Sequence, residues 1–205
     1  MKKIFLKKGG KLVKKYLGES QLMQDPDIVM EEEDDSFTSS VEVEENRIYF
    51  YSEVNKENIL TLNKSIRQTT NKLLARSIEF SQEPANIYLH INSSGGSIFD
   101  GLIASDYVKK NKIPVHSIVD GTCASSATFM SIVANKRFIH ENSFMLIHQL
   151  SSTAWGTYSN LQDEIYNCDL LMKTIKELYK KYTKLPVKKL DDILKRDLWF
   201  TAEEC

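Results

Sequence analysis

The chain has 205 residues, 41% of them hydrophobic and 27% charged, with a formal net charge of -1 at pH 7. That length supports one core-bearing domain with extensions, and so small a charge removes any whole-protein attraction toward nucleic acid. No apolar run approaches the ~20 residues of a membrane span, and Cys123, Cys168 and Cys205 show neither metal-ligand nor paired disulfide spacing, so a soluble protein of a reducing interior, the cytoplasm by default, is expected.

Residues 1–40 read as an arm and linker ahead of a domain spanning 41–205. Met1 to Gly18 sets Lys2, Lys3, Lys7, Lys8, Lys11, Lys14 and Lys15 among Ile4, Phe5, Leu6, Leu12, Val13, Tyr16 and Leu17. The charge then inverts at Glu31-Glu32-Glu33-Asp34-Asp35, and Ser36 to Ser40 reads as a linker. Transit peptides favour Arg and Ser, neither of which occurs before Ser20, and the apolar core is too short for a secretory signal. A disordered arm whose basic and acidic halves attract each other and a surface-binding or organelle-targeting segment both fit this pattern.

Within the domain, Arg47 to Ser52 reads as a strand. Asn55 to Phe80 places Ile59, Leu60, Leu62, Ile66, Leu73, Leu74 and Ile78 at mostly helical intervals, a helix of several turns with room for an interruption. Asn86 to Asn92 is a strand running into Ser93-Ser94-Gly95-Gly96-Ser97. Phe99 to Lys110 is a helix with Leu102, Ile103, Ala104 and Val108 facing inward. Pro114 opens a strand rich in Val and Ile that stops at Gly121, after which small residues lead into an apolar run long enough for a buried helix. Phe144 to Ile147 is a second short strand pattern with His148 at its end. Ser151 to Thr157 is a loop, and Tyr158 to Tyr182 is a long amphipathic helix whose stripe is expected to be core or packing surface. Pro186 ends it, and Val187 to Leu194 is a short helix that leads to Asp197. This succession of strand and helix predicts an α/β fold with parallel pairing and right-handed crossovers, its catalytic turns facing one edge, where Gly96 and Ser125 would meet.

The chemistry centres on Ser125, where a strand turns into a helix. A serine there is ordinarily a cap for backbone N–H groups. The same position also offers unsatisfied N–H groups and a helix dipole to a developing oxyanion, which a serine nucleophile needs. His148 could supply the base. Gly95-Gly96 lets the backbone turn sharply and expose N–H groups, half of an oxyanion hole. Asp197, followed by Leu198-Trp199-Phe200, is either an orienting carboxylate buried by those apolar residues or a surface carboxylate paired with Arg196 or Lys195. His90 and His116 within strands, and His140 in a connector, read as structural or solvated.

Four strings in one order resemble the Clp protease proteolytic subunit family: Ile91-Asn92-Ser93-Ser94-Gly95-Gly96-Ser97, Gly121-Thr122-Cys123-Ala124-Ser125-Ser126, Leu146-Ile147-His148-Gln149-Leu150 and Asp197-Leu198-Trp199-Phe200-Thr201-Ala202-Glu203-Glu204. The resemblance covers the chain from about Val41 to its end. Ser94 and Leu150 stand where the family carries proline and Ser126 where it carries methionine, and the family continues a helix beyond Ala202-Glu203-Glu204. The resemblance implies a ClpP/crotonase-like α/β fold of repeated strand-helix units, with the 158–182 helix as a protruding handle. It also implies a serine endopeptidase that needs no cofactor or metal: Ser125 the nucleophile, His148 the base, Asp197 the orienting carboxylate, and the N–H groups of Gly96 and Ser126 the oxyanion hole. Implied partners are further copies of the chain in heptameric rings, paired as a tetradecamer, and a Clp-type ATPase unfoldase feeding protein and peptide substrates. No nucleic acid partner and no membrane span are expected. Two alternatives remain: a phage-type capsid maturation protease of the same fold, and an inactive ring subunit with a structural or regulatory role.

Overall fold

Alternation of β-branched and aromatic residues drives strand formation here, and the resulting sheet orders everything after residue 40. The computed structural model describes the strand backbones of residues 3–8 and 11–16 and all of residues 41–205. The chain divides into two compact units, Met1–Thr38 and Ser39–Cys205. In the first, β1 (Lys3–Lys8) and β2 (Lys11–Tyr16) pair antiparallel, with Lys8 opposite Lys11. The Gly9-Gly10 pair between these two runs is a sequence signal for such a hairpin, one that a reading of charge alone passes over. The acidic run and the Ser36–Ser40 linker lie outside the described residues.

The second unit is built on a seven-stranded sheet in the order β3-β4-β5-β6-β8-β9, with β7 also pairing β6. The strands are β3 (Val41–Glu44), β4 (Arg47–Phe50), β5 (Ile87–Ser93), β6 (Val115–Ala124), β7 (Lys136–Ile139), β8 (Phe144–Leu146) and β9 (Trp199–Thr201). The pairs β4–β5, β5–β6, β6–β7 and β6–β8 are parallel, as the strand-helix succession predicts; β3 and β9 join antiparallel at the two edges. At ten residues, β6 is long enough to hold β7 against His116–Val119 and β8 against Thr122–Ala124.

Helix α1 (Lys56–Glu79) starts where the Asn55 side chain accepts the Asn58 N–H, and it runs 24 residues without interruption, there being no Pro or Gly inside it. It buries Ile59, Leu62, Ile66 and Leu73, a stripe at helical spacing, over one face of the sheet. That face carries Ile48, Phe50, Leu89, Ile91 and Val119, all at most 1% exposed. Helix α2 (Ile98–Lys110) is capped by Ser97 and buries Gly101, Ala104, Ser105 and Val108. Ile103, expected to face inward, is exposed instead, because the contact side of α2 is set by the close approach of Gly101 to Ser126.

One further expectation changes. Strand β6 does not stop at Gly121 but continues to Ala124: the ladder to β5 shifts register between Ile91 and Ser93, and the Asn92 Oδ1 accepts the Thr122 N–H at 3.1 Å across that irregularity. Helix α3 (Ala127–Ile132) is the buried helix its apolar run suggests, but it stops after six residues. Asn135 ends it by giving its N–H to the Val115 carbonyl at 2.8 Å and taking the Val115 N–H on its side chain at 3.0 Å, which pulls the chain into β7.

Helix α4 (Tyr158–Tyr182) occupies the residues its periodicity predicts, opened by a Thr157–Asn160 capping box. Its buried side chains are Ile175 and Tyr179, both in the C-terminal half, while Ile165, Tyr166 and Leu170 are exposed. Helix α5 (Val187–Leu194) buries Leu190 and Leu194 and is tied to α4 by Lys176 and Asp191 at 2.8 Å. No described helix is long and apolar enough to cross a membrane.

Candidate active site

The glycine turn after β5 is clamped from one side. Val54 gives its N–H to the Gly95 carbonyl and takes the Ser97 N–H on its own carbonyl, both at 2.8 Å, and Ser93 Oγ accepts the Gly95 N–H at 3.1 Å. Gly95 has φ +93° and Gly96 φ +146°, conformations that suit glycine. A Cβ at Gly96 would lie 2.3 Å from the Val54 carbonyl oxygen, and one at Gly95 would lie 2.6 Å from Ser125 Cβ. The glycines therefore do two things: they let the turn form and they bring it against Ser125. With its neighbours' groups satisfied, the Gly96 N–H is left without a hydrogen-bond partner among the described residues.

Ser125 stands between β6 and α3 with φ +54°, a left-handed backbone that a non-glycine residue seldom adopts. Its N–H bonds the Leu146 carbonyl at 2.9 Å, which fixes it beside β8. Its carbonyl accepts the Thr128 N–H at 3.1 Å and the Thr128 Oγ1–H at 2.6 Å. The Ser126 N–H, like that of Gly96, has no partner among the described residues. Since α3 is so short, these individual N–H groups, and not a helix dipole, are what the turn offers to an anion.

The ladder between β8 and β9 brings His148 and Asp197 together. Phe144 pairs Thr201, Met145 pairs Phe200 and Leu146 pairs Trp199; two more steps in the same antiparallel register set His148 opposite Asp197. Gln149 N–H to the Leu194 carbonyl, 2.8 Å, anchors the end of α5 at the same place. His148 Nδ1 is 3.4 Å from Asp197 Oδ1, within ion-pair reach though without hydrogen-bond alignment. The flanking apolar residues do not bury the carboxylate: Asp197 is 80% exposed at its side chain and His148 25%. Leu198 and Trp199 are themselves half exposed, because β9 is the sheet's edge strand. Neither Arg196 nor Lys195 pairs with Asp197; its partner is the histidine. No hydrogen bond joins the Ser125 hydroxyl to the His148 ring.

A family model described as Clp protease matches residues 42–205. The chain belongs to the Clp protease family. Among solved structures, a point mutant of ClpP1 from Listeria monocytogenes matches with a TM-score of 0.66 and 21% sequence identity over 78% of this chain and 84% of that one. At that identity the likeness establishes the fold, an α/β fold of the ClpP kind. Family membership supports a peptidase of the ClpP type.

Two groupings in this Clp family member escape a reading of the sequence alone. On the sheet face away from α1, Asp120 accepts from His90 Nδ1 at 2.8 Å and from the Tyr51 hydroxyl, and His140 Nε2 stands 3.2 Å from its Oδ1 without hydrogen-bond alignment. Arg47 faces His90 Nε2 at 3.4 Å, so that nitrogen accepts and Nδ1 carries the proton toward Asp120. Burial and the Asp120 carboxylate raise the Tyr51 phenol well above its ordinary value. The signal is period-2 alternation of polar residues on adjacent strands, readable only once the β5–β6 register is known. No group of three or more His, Cys, Asp or Glu among the described residues is arranged to hold a metal ion. The second grouping, Thr128 with Tyr179, lies beneath Ser125 and joins residues 51 positions apart.

Proposed function

We propose that the chain is a serine endopeptidase subunit in which Ser125 is the nucleophile, His148 the base and Asp197 the orienting carboxylate. The observation that carries this reading is the pair of unpartnered N–H groups, from Gly96 and Ser126, beside a serine in a strained left-handed conformation. His148 Nδ1 faces Asp197, which leaves Nε2 to take the Ser125 hydroxyl proton as Oγ bonds the peptide carbonyl carbon. The carbonyl oxygen becomes the oxyanion held by the two N–H groups. His148 then passes its proton to the leaving amine as the C–N bond breaks, and a water activated by the same imidazole hydrolyses the acyl ester.

The exposed apolar side chains of α4, Ile165, Tyr166 and Leu170, with Trp155 just ahead of it, support docking against further copies of the chain. The family suggests heptameric rings paired as a tetradecamer, with a Clp-type ATPase unfoldase delivering substrate. In the sequence, residues 1–40 stand ahead of the 41–205 peptidase domain as a separate arm and linker. Cys123, Cys168 and Cys205 are free thiols, which supports a reducing interior such as the cytoplasm. Catalytic hydrogen bonds often tighten only with substrate bound, which accommodates the open Ser125–His148 pair.

That same open pair, with the exposure of Asp197, favours one second reading: a ring subunit that assembles but does not cut. A serine-directed fluorophosphonate separates the two. Labelling of the assembled wild type that disappears in Ser125→Ala, together with loss of peptide cleavage, is the expected result. An assembled wild type that takes no label would establish the scaffold.

A further inference from the structure

The carbonyl of Ser125 accepts more than a short helix start requires. Besides the Thr128 N–H it takes the Thr128 hydroxyl at 2.6 Å, and that hydroxyl oxygen lies 2.5 Å from the phenol oxygen of Tyr179. A threonine hydroxyl has one proton. Given to the Ser125 carbonyl, it leaves the oxygen to accept from Tyr179, so the order of donation is Tyr179 to Thr128 to Ser125. Both side chains are shut off from solvent, Thr128 at 0% and Tyr179 at 1%. Burial pushes the Tyr179 phenol far above its usual value, so it keeps the proton that it donates. Phe129 stands edge-on to the tyrosine ring, 5.9 Å between centroids, and holds it in place.

A hydroxyl bonding back within its own turn is common; a second helix reaching in to brace that hydroxyl is not required by any local rule. What the brace controls follows from peptide planarity. The Ser125 carbonyl and the Ser126 N–H belong to one trans peptide unit and point in opposite directions. Whatever pulls the carbonyl toward α4 therefore turns the N–H toward the glycine turn, where a Cβ on Gly95 would lie 3.2 Å from the Ser126 nitrogen.

We propose that Thr128 and Tyr179 are positioning residues that aim the Ser126 N–H at the reacting oxygen, making the geometry of the oxyanion hole depend on the seating of α4. The proposal rests on Ser125 being the nucleophile. It also gives the long helix a second role: its C-terminal half reaches the reacting centre through one phenol, while its N-terminal half is exposed to other molecules.

The test compares full-length wild type with Thr128→Val, Thr128→Ser, Tyr179→Phe and the Thr128→Val/Tyr179→Phe double variant. Fluorophosphonate labelling rate, kcat and KM for a peptide, and Tm are measured for each. Losing the hydroxyl in Thr128→Val should slow labelling and kcat about tenfold with KM unchanged, the mark of an interaction made in the transition state. Thr128→Ser should restore the rate. Tyr179→Phe, which keeps the ring, should cost about threefold, and the double variant should be no slower than Thr128→Val alone, because the phenol acts through the threonine. Rates equal to wild type in both single variants, losses that multiply in the double, or a Thr128→Ser no faster than Thr128→Val would overturn the proposal. Tyr179→Phe alone decides it if Thr128→Val does not fold: an unchanged labelling rate with only a lower Tm means a structural brace and nothing more. A wild type that takes no label sinks the nucleophile assignment and this proposal with it, whereas a labelled wild type with indifferent variants sinks this proposal alone.

Discussion

A single methyl group at Gly95 would meet Ser125 Cβ at 2.6 Å and the Ala124 carbonyl oxygen at 2.7 Å, on a backbone with φ +93°. Two costs therefore combine in Gly95→Ala, about 1–3 kcal/mol for the conformation alone and a steric displacement of the serine itself. The expected outcome is a lower Tm by differential scanning calorimetry and loss of fluorophosphonate labelling; a variant that labels at the wild-type rate would mean the turn can move away without consequence. Another single residue makes stability depend on pH. Burial, aided by Lys136 and opposed by a bond to the Val115 backbone, lowers the His116 imidazole below its ordinary value, and the ring sits between Tyr88 and Phe138. The native state thus binds this proton less readily than the unfolded chain. The contribution is present in full above the unfolded value of about 6.5 and is lost as pH falls toward the lowered folded value. His116→Phe should therefore narrow the Tm difference between pH 7.5 and pH 5.5, and an unchanged difference would place the acid sensitivity elsewhere.

At the scale of elements, α5 matters because it delivers Asp197. It is a short amphipathic helix with few contacts of its own, held by Leu190 and Leu194 in the core and by the Gln149–Leu194 backbone bond. Leu190 is fully buried, so Leu190→Ala should cost about 2–5 kcal/mol. Because the last turn of α5 sets where the chain enters β9, peptide turnover should fall as well at temperatures where the variant remains folded. Full activity in a folded Leu190→Ala protein would show that the β8–β9 ladder positions Asp197 unaided. The helices also show how far periodicity carries. The spans of α4 and α5 follow from spacing and from Pro186, and α1 from Asn55 and the absence of breakers. The length of α3 does not, because Asn135 ends it through bonds to a strand twenty residues upstream.

For the whole molecule, the outstanding feature is that α4 has a complete apolar stripe and buries only half of it. Ile165 is 64% exposed and Tyr166 70%, an arrangement that favours covering by another copy. If α4 joins subunits, Ile165→Asp combined with Leu170→Asp should lower the mass measured by light scattering from a ring-sized assembly to smaller species while leaving circular dichroism intact. A mass unchanged by both substitutions would assign assembly to another surface.

The sequence by itself determined the main helices, the central strands with their parallel pairing and a set of candidate residues, because those depend on local signals: period 3.6 or 2, a glycine pair after a strand, a proline at a helix end. The strands β1, β2, β3, β7 and β9 were not read from such signals. His148 and Asp197 could be named as candidates on that ground, but their approach could not be derived, since it depends on the β8–β9 register. Asp197's exposure is a consequence of lying beside an edge strand, which no run of apolar neighbours reveals. The grouping of Tyr51, His90 and His140 on Asp120, and the Tyr179–Thr128–Ser125 chain, were decided by tertiary structure alone. In each, the partners come from separate elements, and a hydrogen bond across that distance in sequence exists only after the layers have packed.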